Sequence, residues 1–153
     1  MVLGRSLLLL LAAAIAVGGC ASGKVKESND YIAAVNAAQR EFAAKSVALL
    51  RSIKPGEPAR VARPTLGRFY SLVDSFVGRL QAIRPPARVR ALHLRLVGAM
   101  QTFSRSLRHA GAALVSGNTL RVLQGQRELS VAAQSVSSTL NRTDIAINDA
   151  LHS

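Results

Sequence analysis

The chain has 153 residues, with 20 Lys and Arg against 8 Asp and Glu, a formal charge of +12 at pH 7. Only 4 % of it is aromatic, Trp is absent and there is a single cysteine, Cys20. An internal disulfide is therefore excluded, and helices packed through small and aliphatic side chains are favoured. The N-terminus comes first in order. Arg5 gives a short positive start, residues 6–17 form an almost unbroken apolar run, and Gly18, Gly19 and Cys20 follow. That is the layout of a secretory signal peptide, with small residues before the cut. A transmembrane helix needs about 20 apolar residues, and residues 7–17 are too few before the two glycines. Cleavage after Ala21, with Gly19 and Ala21 as the small pair, would instead release a soluble secreted protein and discard Cys20. A retained anchor is the third alternative.

Val17-Gly18-Gly19-Cys20 resembles the lipobox of bacterial lipoproteins. The resemblance implies that Cys20 is lipidated, with palmitate or a related acyl chain, and becomes the new N-terminus. It departs from the usual pattern at two positions, where that family more often has Leu first and Ala or Ser second. The reading divides the chain into a signal peptide at 1–19, a lipidated tether at 20–27 and a helical domain at 28–153. A modified cysteine places the protein on the outer face of a membrane without spanning it. It also gives a use to a thiol that has no partner in an oxidising compartment.

Helix one is predicted to begin at Ser28, Asn29 or Asp30, each a good N-cap. Ile32, Val35, Gln39, Phe42, Ser46, Leu49 and Ile53 then recur at alternating steps of three and four, with Val47 and Leu50 widening the face. Pro55 ends it, and residues 54–64, with three prolines and Gly56, read as an extended linker. Helix two is predicted to open with Thr65 as its cap. It carries the cleanest stripe, Leu66, Phe69, Val73, Phe76, Leu80 and Ile83, which needs another helix to cover it. Arg84-Pro85-Pro86 makes a tight hairpin, with Pro86 suited to the first turn of helix three. Helix three is predicted over 87–115. Val89, Leu92, Leu96, Ala99, Phe103 and Ala110 form one line, beside His93, Val97, Met100, Leu107 and Leu114. Ser116-Gly117-Asn118 reads as C-cap and turn. Helix four is predicted over 120–151 with Val122, Gln126, Leu129, Ala133, Val136, Leu140, Thr143 and Ile147 inward, and a weak point at Asn141-Arg142-Thr143. No strand pattern competes. The expected fold is all-α, an up-down antiparallel four-helix bundle. A coiled-coil dimer through helix two is the alternative packing.

Residues 83–93, Ile-Arg-Pro-Pro-Ala-Arg-Val-Arg-Ala-Leu-His, resemble a pattern seen in helical lipoproteins of actinobacteria. There an Ile- or Leu-led helix end meets Pro-Pro, and the next helix carries a His in its first turns. With the lipobox, the resemblance covers roughly residues 66–110. It implies a helical envelope protein and carries over no catalytic residue.

The chain offers little to catalysis. Its eight acids are scattered, with no Glu-x-x-His pair, no glycine-rich phosphate loop and no Gly-x-Ser-x-Gly elbow. No enzyme activity, metal or cofactor is expected. His93 and Met100 are both possible haem ligands, but they share one helix about two turns apart and cannot grip opposite faces of one iron. His93 is expected instead at a boundary, hydrogen-bonded to a neighbouring helix or to the Pro85-Pro86 hairpin.

The basic residues are the better guide. Up-down topology gathers Lys24, Lys26, Arg79, Arg84, Arg88 and Arg90 at the end nearest Cys20. There they would face anionic lipid head groups. The far end collects Arg51, Lys54, Arg60, Arg63, Arg68, Arg105, Arg108 and Arg121. That end is either a surface for an envelope polyanion or a solvated face that keeps an apolar protein dispersed. Nucleic acid is disfavoured by export and by the lack of stacking aromatics among the arginines. The expected function is a membrane-anchored, non-enzymatic envelope binding or scaffold module. The alternative is a carrier holding a small apolar ligand or cofactor inside the bundle, beside His93, Met100 and Phe103.

Overall fold

A computed structural model of the chain describes residues 23–52 and 59–152. The expected signal peptide, Cys20, and residues 53–58 with the first part of the predicted 54–64 linker lie outside the described residues. Four helices make up the rest: α1 (Gly23–Ser52), α2 (Ala59–Ala82), α3 (Arg90–Leu114) and α4 (Thr119–His152), with a 3-10 turn at Ala87–Val89. α1 packs on α2, α2 on α3, and α3 most extensively on α4, while the 3-10 turn touches α4. This is the all-α four-helix bundle that the periodicity predicts. The α2 stripe is covered within the same chain, by α1 and α3.

The core lies towards one end. α1 contributes Tyr31, Val35 and Ala38. α2 gives Val73, Phe76, Val77 and Leu80, the 3-10 turn Val89, α3 Leu96, Val97, Met100, Phe103 and Leu107, and α4 Ile147 and Leu151. On the predicted α1 line Val35 and Ser46 are buried, whereas Tyr31 and Ala38 are buried in place of the half-buried Ile32 and Gln39. Tyr31 turns inward because its hydroxyl finds a buried partner on α3. Both predicted lines beyond the hairpin are largely buried, Val89, Leu96, Phe103 and Ala110 of one and His93, Val97, Met100 and Leu107 of the other, while Leu92, Ala99 and Leu114 are half-buried. On α4, Gln126 points to solvent and Gly125 takes the inward place. A Cβ at Gly125 would stand 2.8 Å from the Ala110 carbonyl oxygen and 3.0 Å from the Ala113 Cβ. The absent side chain is what lets α4 approach α3 so closely.

Two helix starts differ from expectation. α1 begins at Gly23, five residues before Ser28. The extra turn is held by a 2.6 Å Lys26–Asp30 ion pair and by Ser28, which accepts a hydrogen bond from Arg88 at 2.8 Å. α2 begins at Ala59 and contains Pro64, so the predicted linker ends early and Thr65 caps nothing. Pro64 stands six residues into the helix, past the first turn, so it forfeits one backbone bond and its ring crowds the carbonyl four residues back. α4 runs unbroken through residues 141–143, where Thr143 is buried. The turn before it matches expectation. Gly117 has a φ of +73°, and the Asn118 side chain accepts the Arg121 N–H at 3.1 Å as an N-cap.

Candidate functional site: the basic end of the bundle

The start of α1 and the α2–α3 hairpin meet. The Arg88 guanidinium donates to Ser28 Oγ across 60 residues of sequence, so Lys26, Arg84, Arg88 and Arg90 belong to one end of the molecule. All four are exposed. Arg84 and Arg90 have no ion-pair partner among the described residues. Lys26 is tied to Asp30, whose hydrogen bond and charge raise the lysine pKa above its ordinary value. The side chain of Lys24 lies outside the described residues. Glu27 and Asp30 are exposed on the same turns of α1, and Asp149 lies on the last turns of α4. The end is therefore less cationic than a count of its lysines and arginines implies. Arg79 is not part of it. It donates to Glu41 on the α1–α2 face, because one turn back from the helix end its side chain reaches sideways to α1.

Three of the five far-end arginines among the described side chains are occupied, and Arg68 and Arg121 have no side-chain partner there. Arg63 donates to the Val115 carbonyl at 3.4 Å, beyond the last turn of α3. Arg108 pairs with Asp74, which also accepts from Ser104 at 2.7 Å, and its guanidinium lies 5.2 Å above the Tyr70 ring. Arg105 donates to Thr102. The side chains of Arg51, Lys54 and Arg60 lie outside the described residues. The Arg63 and Arg108 contacts link α2 to the α3 side of the bundle, while the Arg105 contact stays within α3.

His93 sits deeper than the expected boundary position, only 3 % exposed. Its hydrogen-bonding does match expectation, with partners on two neighbouring helices. Nε2 lies 3.0 Å from the Leu80 carbonyl, which can only accept, so Nε2 carries the proton. Nδ1 then accepts from the Tyr31 hydroxyl at 3.2 Å. The Leu80 carbonyl belongs to the last turn of α2 and also accepts the Ile83 N–H at 3.1 Å, so His93 supplies its second hydrogen bond at the helix end. Burial lowers the His93 pKa, opposed by the Leu80 bond. Tyr31 is pushed up to about 12 by burial and then by the charge of Asp144. Met100 and Phe103 pack in the same cluster. Nothing in the helical spacing shows that His93 and Tyr31 are partners, since 62 residues separate them.

Sequence reasoning missed one feature, a groove of about 400 Å³ between α1 and α2. Phe42 and Phe76 stack beneath it with centroids 4.6 Å apart, and Lys45, Arg68 and Arg79 stand around it with Glu41. Among the described residues no three His, Cys, Asp or Glu gather as a metal-ligand set, and no helix is long and apolar enough to cross a membrane. No protein family, curated protein or solved structure matches the chain.

Proposed function

We propose that the chain is a lipoprotein of the cell envelope, held on the outer face of a membrane by lipid on Cys20 and acting as a non-enzymatic binding or scaffold module. The observation that carries the reading is the early start of α1. Cys20 precedes Gly23 by three residues, a length of chain that reaches at most about 10 Å. A lipid on Cys20 would bring the first turn of α1 to the membrane surface. The Arg88–Ser28 bond brings Arg84 and Arg90 there as well. Basic residues near an anionic leaflet are attracted by about 1 kcal/mol each, an amount that Glu27, Asp30 and Asp149 reduce here. The likeness to helical lipoproteins of actinobacteria supports the same reading. An envelope polyanion at the far end has less support, because Arg63, Arg105 and Arg108 are engaged within the chain.

The carrier reading would need room beside His93, Met100 and Phe103. All three are buried, and both His93 nitrogens are engaged, so the interior offers the weaker case. Fractionation of cells making the native or the Cys20→Ser chain tests the proposal. The native chain should sediment with membranes and resist a high-salt wash, while the substituted chain is released. Release of both would overturn the proposal.

A further inference from the structure

The groove between α1 and α2 runs along residues 38–49 of one helix and 68–79 of the other. At 1.5 Å per residue this is about 16 Å. Half of a hydrocarbon core of about 30 Å, the depth that one acyl chain spans in a leaflet, is nearly the same. Small residues keep the groove open: Ala38 and Ala48 on α1, Ser71 and Ser75 on α2. Its floor is apolar, with the Phe42–Phe76 stack at the centre and half-buried Leu49 and Leu72 beside it. Its rim is cationic, with Lys45, Arg68 and Arg79 against the single carboxylate of Glu41. Lys45 donates to Glu41 at 2.7 Å and Arg79 donates to the other carboxylate oxygen, so these two cations are already shared. Arg68 is exposed and has no carboxylate partner among the described residues.

We propose that this groove binds one long-chain fatty acid, with its chain along the Phe42–Phe76 floor and its carboxylate at Arg68. A volume of about 400 Å³ lies at the small end of the range of about 300–1,000 Å³ for ligand pockets. It suits one chain better than the two of a phospholipid. The guanidinium fork of Arg68 matches a planar carboxylate. The inference does not rest on the lipid tether, since the groove belongs to the bundle itself.

The test is photolabelling of the full chain in the membranes of cells that make it, with a diazirine-bearing palmitate, followed by peptide mapping. Label is expected on residues 38–49 and 68–79. Arg68→Glu should lower it about tenfold, the size of a charge reversal beside a carboxylate. A matching diazirine alcohol should label more weakly by a similar factor. Ala48→Phe, at an exposed position on the groove wall, should displace the chain and remove the label. Both substitutions are at exposed sites, and helix content by circular dichroism checks each, so either variant decides if the other unfolds. The proposal fails if label spreads over exposed Leu120, Leu123 and Val131 of α4, if the alcohol labels equally, or if neither substitution lowers the signal. The same labelling of the Cys20→Ser chain separates failure of the groove from failure of the tether.

Discussion

At the scale of single residues, the Tyr31–His93–Leu80 chain of hydrogen bonds joins α1, α2 and α3 inside the core. Tyr31→Phe leaves the shape and removes the donor to Nδ1, so unfolding should become easier by about 1 kcal/mol, read by denaturant titration. The sign of the pH effect follows from the burial that lowers the His93 pKa. Below the ordinary imidazole value of about 6.5, the unfolded chain takes up a proton that the folded imidazole refuses. Stability from this group is complete above that pH and falls as pH drops towards the folded value. A thermal melt series from pH 8 to pH 5 should show the decline, and His93→Gln should flatten it. Asp144 has the opposite sign. Burial raises its pKa, with a hydrogen bond from Gln39 opposing, so its charge destabilises the fold as pH rises through the folded value. Asp144→Asn should raise the melting temperature at pH 7 and lose that advantage near the ordinary aspartate value of about 3.9.

At the scale of helices, two glycines make opposite predictions. Gly98 lies within α3, and a Cβ there would meet nothing within 4 Å. Gly98→Ala should stabilise by about 0.5–1 kcal/mol through helix propensity alone. Gly125→Ala gains the same propensity but drives a methyl against the Ala110 carbonyl, a backbone atom that cannot step aside. It should destabilise, by about 1–3 kcal/mol in the manner of overpacked cores, and chemical denaturation of the pair measures both. The stripes of α2 and α3 were legible in the sequence because Val73, Phe76, Leu80, Leu96 and Met100 repeat at helical spacing and are all buried. The start of α1 was not, because it depends on Arg88 reaching Ser28 from the hairpin. Pro64 misled as well: local rules place a break there, and α2 nevertheless runs through it from Ala59. The groove was equally hidden. Glu41 and Arg79 meet across 38 residues of sequence, and no local pattern states which flank of α1 faces α2.

At the scale of the whole molecule, the lipid proposed on Cys20 would sit beside the basic hairpin end of the bundle. If the hairpin end faces lipid, the soluble Cys20→Ser chain should still partition weakly onto phosphatidylserine vesicles. Arg84→Glu with Arg90→Glu should weaken that partition by at least about tenfold at low salt, since each basic residue contributes about 1 kcal/mol. The difference should shrink as added salt screens the surface. Vesicle flotation reads both trends, and equal partition of the two chains would place the contact elsewhere. The most direct measurement of the central claim is the intact mass of the native protein extracted from membranes. A diacylated or triacylated chain beginning at Cys20 is expected, with that mass absent from the Cys20→Ser form. An unmodified chain beginning at Ser22 and recovered from the medium would contradict it.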